Sequence, residues 1–128
     1  MVKRFDEDAT RGARALQIWQ ILVGKSHNRQ TMTYGELAKL LGFKGAGTLA
    51  HMLGHIFIYC RQNDLPPLTA LVVNHETGLP GEGLTGVDLN HAREEVFAFD
   101  WYGIWPPTVE ELEYAYKHRA QSETEESA

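Results

Sequence analysis

The chain has 128 residues, of which 43% are hydrophobic and 23% charged, the composition of one globular domain. Its formal net charge of −5, taken whole, argues against a nucleic-acid partner. One cysteine, Cys60, excludes an intrachain disulfide and a cysteine-based zinc finger, and no apolar run approaches the roughly 20 residues of a membrane span.

The charge is unevenly spread. Residues 1–64 hold nine Lys/Arg against five Asp/Glu, a balance of +4, and residues 65–128 hold three against twelve, a balance of −9. Between Ala9 and Asn63 stand Arg11, Arg14, Lys25, Arg29, Lys39, Lys44 and Arg61, with Glu36 the only acid. Such a stretch is either a phosphate-tracking face or a set of solvated helix faces.

Residues 1–9 are expected to be frayed, and the opening residues lack the apolar segment of a secretory signal, so a cytoplasmic location is expected. From Thr10 the pattern is helical. Ala15, Leu16, Trp19, Leu22 and Val23 recur on one face, and Gly24 is expected to end the helix. Lys25–Gln30 then reads as a loop. Thr33-Tyr34-Gly35-Glu36 has the spacing of a capping box, which opens a short helix carrying Leu37, Ala38, Leu40 and Leu41 and stopping at Gly42. A turn rich in small residues follows, Phe43-Lys44-Gly45-Ala46-Gly47. Thr48 opens a longer helix, with Leu49, Leu53, Ile56, Phe57 and Cys60 inward and Thr48, His51, Met52, His55 and Gln62 outward. Pro66-Pro67 closes it.

Residues 68–74 are apolar and β-branched and read as a strand, with residues 79–84 as its return strand across a turn. Asn90 is the expected N-cap of a helix from His91, with Val96, Phe97 and Phe99 on its core side. A second capping box, Thr108 to Glu111, opens a last helix to about His118, and the acidic residues 121–128 are expected to be disordered. The fold class expected is mainly α with a small β-hairpin (α+β). Residues 10–84 form a winged helix-turn-helix, and residues 85–120 a C-terminal helical extension packed on it.

Leu16-Gln-Ile-Trp-Gln-Ile-Leu22 followed by Thr31-Met-Thr-Tyr-Gly-Glu-Leu-Ala38 resembles the C-terminal domain of the alkylguanine-DNA alkyltransferases, where a V/I-W-x-x-L helix precedes a T-x-Y-x-x-L-A helix. Leu71-Val72-Val73 through Gly78-Leu79-Pro-Gly81-Glu-Gly83 is similar to that family's R-V-V-x-x-x-G-x-L-G-G-Y wing. The resemblance spans roughly Leu16 to Gly83. It implies a winged helix that binds the minor groove and rotates a damaged base out of the duplex.

Carried over residue by residue, the resemblance implies no alkyl transfer. The family's Pro-Cys-His-Arg reads Leu68-Thr69-Ala70-Leu71 here, so Thr69 replaces the nucleophile and Ala70 the histidine beside it. Tyr34 matches the tyrosine that helps rotate the nucleotide, and His51 stands where the family has an arginine finger. Asn63 matches a family asparagine. The pattern is similar to the alkyltransferase-like proteins, which bind alkylated DNA without a nucleophile. The expected function is therefore non-catalytic DNA binding of that type, in DNA repair. The DNA-binding residues would be Arg29, Thr33, Tyr34, Lys44, Gly45, Gly47, Thr48, His51 and His55, around a pocket of Tyr34, Asn63, Thr69 and Leu79. No cofactor is expected, and no metal either, because His51 and His55 lack a third ligand at a defined spacing. The alternative is a protein-interaction module that reuses the winged helix, with Trp101 to Pro107 as its contact. A third reading, base chemistry through another nucleophile, ranks last because Thr69 has no visible base.

Overall fold

A computed structural model describes residues 1–5, 9–77 and 88–120. Among the described residues are five α-helices and one small sheet: α1 (Arg11–His27), β1 (Met32–Thr33), α2 (Tyr34–Leu41), α3 (Leu49–Gln62), β2 (Val72–Val73), α4 (Leu89–Ala98) and α5 (Val109–Lys117). The fold is thus mainly helical with a small sheet, the α+β class. No helix of the described residues is long and apolar enough to cross a membrane.

Thr10 caps α1, its hydroxyl accepting the Ala13 N–H at 3.1 Å. Ala15, Ile18, Trp19, Leu22 and Val23 are buried along one face, so Ile18 takes the place expected for Leu16, which is half-buried. Gly24 does not end this helix. Its carbonyl accepts the Asn28 N–H at 3.2 Å and α1 runs to His27, so part of the expected loop is helical. The extra turn buries Ser26, whose hydroxyl donates to Val96 O at 2.9 Å. Trp101 Nε1 donates to the same carbonyl at 2.8 Å. Two buried bonds on one oxygen thus tie α4 and the segment after it to α1.

The first capping box forms as its spacing predicts. Thr33 Oγ1 accepts the Glu36 N–H at 3.0 Å, and Glu36 Oε1 accepts the Thr33 N–H at 3.3 Å. Such a cap contributes about 1 kcal/mol. Gly42 ends α2 at φ 81°, a left-handed value that glycine adopts without penalty. Phe43 N–H then closes on Ala38 O at 2.9 Å, which turns the chain back along α2.

The sheet is parallel, with Met32 beside Val72 and Thr33 beside Val73. Parallel strands need a long crossover, and here it carries α2 and α3. The expected strand over residues 68–74 shrinks to Val72–Val73, because Leu68–Leu71 winds into a 3₁₀ turn with all four residues buried. A short apolar run does not by itself distinguish a strand from a buried helical turn. The expected return strand, and with it Leu79 and the hairpin, lies outside the described residues, as does the acidic tail.

The expected cap of α4 also moves. Asp88 takes the role assigned to Asn90, accepting the His91 N–H at 3.2 Å, and the helix starts two residues earlier. The second capping box forms as predicted: Thr108 Oγ1 accepts from Glu111 N at 3.1 Å and Glu111 Oε1 from Thr108 N at 3.0 Å. The core lies where α1, α3 and α5 meet, on Leu22, Leu49, Ile56, Leu68, Leu71, Val96 and Leu112. Each fully buried side chain of this size contributes about 1.5–3 kcal/mol.

Candidate nucleic-acid interface

The turn between α2 and α3 places Phe43 at the centre of a basic face. Phe43 lines two neighbouring depressions. One, of about 400 Å³, is bounded by Gly35, Lys39, Gly42, Lys44, Gly45 and Ala46. The other, of about 330 Å³, lies between the start of α1 and the start of α3, with Phe5, Arg11, Arg14, Thr48 and His51 among its lining residues. Four of the seven basic residues, Arg11, Arg14, Lys39 and Lys44, therefore gather around one aromatic ring. The described lining of both depressions contains no carboxylate.

Arg14 is held in place. Its Nη1 donates to Gln17 Oε1 at 2.7 Å, and its guanidinium lies 4.5 Å from the centroid of Phe5 and 5.1 Å from that of Phe43. A planar guanidinium over aromatic faces gains cation–π attraction and loses little freedom on binding an anion. Neither Phe5 nor Phe43 is singled out by the sequence. The available signal was an aromatic ring in a glycine- and lysine-rich turn, but its pairing with Arg14 is a tertiary contact.

The other basic residues lie outside the lining of these two depressions. Arg29, expected on DNA, donates from Nη2 to both carboxylate oxygens of Glu94, at 2.7 and 3.0 Å, and lies over Phe97. It sits at the acidic partner's side rather than on the basic face. Arg61 covers Phe57, and Lys25 is half-buried.

The expected outward face of α3 splits. Thr48 and His51 are exposed, but Met52 and His55 are buried, His55 to 4% exposure. The cause is α5. Tyr116 stacks on the His55 ring, centroids 4.3 Å apart and planes 6° apart, and its hydroxyl lies 3.4 Å from His51 Nδ1. A Cβ on Gly54 would meet the Tyr116 ring at 3.0 Å, so the missing side chain allows this close approach. His55 Nδ1 donates to His51 O at 2.6 Å, and burial pushes the His55 pKa below its ordinary value. His55 is therefore unavailable as a groove contact, and only the first turn of α3 is presented. Among the described residues no group of three or more His, Cys, Asp or Glu is placed to hold a metal ion.

The expected pocket residues do not share one depression. Tyr34 begins α2 directly after β1 and is packed against the core. Thr69 is buried in the 3₁₀ turn before β2. Asn63 caps the far end of α3, donating through Nδ2 to Tyr59 O at 2.8 Å. It lines a separate groove of about 490 Å³ with Tyr59, Glu110, Glu111 and Tyr114, which includes neither Tyr34 nor Thr69. Two carboxylates and no cation make that groove unsuited to phosphate. Cys60 is buried in the core and its thiol is pushed up to about 12, chiefly by burial, so it stays protonated.

The Trp101–Pro107 segment divides. Trp101 is core, packed edge-on to Trp19 with centroids 5.5 Å apart. Tyr102 and Trp105 are 67% and 91% exposed. No family model matches the chain, and no curated protein or solved structure matches it.

Proposed function

We propose that the chain is a non-catalytic DNA-binding protein of alkyltransferase-like type, which holds duplex DNA through the basic face around Phe43. The gathering of Arg11, Arg14, Lys39 and Lys44 on that face carries the reading. It resolves the conflict posed by the net charge, since a local cationic surface attracts phosphate whatever the total. The alkyltransferase-like part of the proposal rests on the sequence resemblance of Leu16–Leu22 and Thr31–Ala38 alone. The non-catalytic part of the proposal rests on the resemblance, in which Thr69 stands at the family's cysteine position.

The test is a gel-shift on duplexes with and without an alkylated guanine across a salt series. Binding is expected at low salt. With four phosphates contacted, the affinity falls with a log–log salt slope of about −3.6. Tighter binding of the alkylated duplex is the result expected of lesion recognition. Failure to bind either duplex at low salt refutes the reading.

A second reading is a protein-interaction module, favoured by the exposed Tyr102 and Trp105 beside Pro106. Large exposed aromatics are typical anchors of protein interfaces. Co-purification with and without nuclease separates the two, because a partner retained after nuclease does not depend on nucleic acid.

A further inference from the structure

We propose that the depression between the amino ends of α1 and α3 is a phosphate site, built by Arg11, Arg14 and Thr48. The proposal rests on the DNA-binding reading for the source of that phosphate, which is a backbone phosphodiester of the bound strand.

Four features of the depression point to an anion. First, it is a concavity of about 330 Å³, at the lower end of the 300–1,000 Å³ range that holds small ligands. Second, two guanidinium groups and the His51 ring line it; Asp6, Glu7 and Asp8, which follow its lining residue Phe5 in the chain, lie outside the described residues. Third, Arg14 is already ordered by Gln17, Phe5 and Phe43. A guanidinium has five N–H donors, and the Gln17 bond uses one of them. Its planar fork matches two oxygens of a phosphate, and little side-chain entropy remains to be lost. Fourth, the Thr48 hydroxyl makes no capping bond to α3, although Thr48 stands at that helix's N-cap. An exposed, uncommitted hydroxyl at this position can donate to a phosphate oxygen.

The helix positions add to this. The two amino ends that flank the depression belong to helices of 17 and 14 residues, and both carry partial positive charge. Arg11 is the first residue of α1, so its charge and the dipole of its helix act at the same place. The basic residues of the neighbouring depression, Lys39 and Lys44, continue the positive surface past Phe43. A strand that places one phosphate between α1 and α3 thus has its next phosphates beside lysine.

The same chemistry is offered by a free nucleotide, so the experiment separates the sources. Resonances of the Arg11 and Arg14 Nε–H groups and the Thr48 amide are followed in phosphate-free buffer while a DNA dodecamer, thymidine monophosphate or inorganic phosphate is added. The dodecamer is expected to shift all three, with the small phosphates shifting the same groups at much higher concentration. In parallel, Arg11→Gln and Arg14→Gln are compared with Lys25→Gln for dodecamer affinity. Each arginine variant is expected to lose about 3- to 10-fold affinity at about 50 mM salt and to reduce the salt slope by about 1. The Lys25 variant keeps both. Circular dichroism checks that Arg14→Gln is folded, and the exposed Arg11 serves as the second variant.

Unchanged affinity and slope in both arginine variants, with the dodecamer still bound by the parent protein, overturns the phosphate site and leaves the DNA-binding reading standing. Shifts with thymidine monophosphate and none with the dodecamer overturn the DNA reading and assign the site to free nucleotides. No shift with any probe overturns both.

Discussion

Gly24 and Gly42 lie near the ends of α1 and α2, and opposite responses to alanine are expected of them. Gly24 lies inside α1, with its carbonyl bonded to Asn28 N and with open space where a Cβ would go. Its φ is not in the left-handed region, which among the described glycines is occupied by Gly42 alone. Replacing glycine by alanine in a helix interior gains roughly 0.8–1.0 kcal/mol, by reducing the freedom of the unfolded chain. Gly24 is in the last turn of α1, where fraying reduces the benefit, so the expected gain for Gly24→Ala is about 0.5–1 kcal/mol. Gly42 also has open space around its missing Cβ, so no contact opposes a side chain there. Its φ of 81° does, and Gly42→Ala is expected to cost about 1–2 kcal/mol. For a domain of this size the first change raises the Tm by about 2–4 °C, and the second lowers it by a similar amount or more. Urea unfolding followed by circular dichroism gives both values. If Gly24→Ala destabilises the protein, α1 stops at Gly24 as the local pattern alone suggests, and the packing of Ser26 described above is wrong.

The shared acceptor Val96 O makes a second prediction. Ser26→Ala and Trp101→Phe each remove one donor and leave the other, so each single change costs about 1 kcal/mol in hydrogen bonding, plus lost packing for the indole. The double variant leaves that buried oxygen only the long Phe99 N–H contact at 3.3 Å, and its cost is expected to exceed the sum by about 1 kcal/mol. Additive costs in a urea double-mutant cycle refute the shared-acceptor account. The third prediction concerns pH. Burial lowers the His55 pKa in the folded state, opposed by the His51 carbonyl and Glu113 and assisted by Arg11 and the His51 ring. The unfolded chain then binds the proton more readily, so this stability is full above about pH 6.5 and is lost as the pH falls below it. His55→Phe, which can stack under Tyr116, is expected to reduce the drop in urea midpoint between about pH 7.5 and pH 5.5. An equal drop in both proteins refutes it.

The local signals in the sequence were those closed by a few neighbouring residues. Both capping boxes, the left-handed Gly42 and the start of α1 at Thr10 are short-range hydrogen-bond patterns, readable because three or four residues carry the whole interaction. The seven basic residues were legible as a charge bias, but not as a surface. Only tertiary structure decided that Arg14 meets Phe43 while Arg29 meets Glu94, since both arginines look equally free in a one-dimensional pattern. The same holds for α3. Its outward face looks exposed until α5 arrives from 60 residues away and buries His55 under Tyr116. Strand pairing was equally hidden, because two-residue strands carry no register information and the partner of Val72 lies across two helices. Local pattern was enough for the two capping boxes, the Thr10 cap of α1 and a basic front half, but not for the end of α1 or the cap of α4. Which cations face outward together was decided by long-range packing, because each side chain's partner is set by where the other helices bring it.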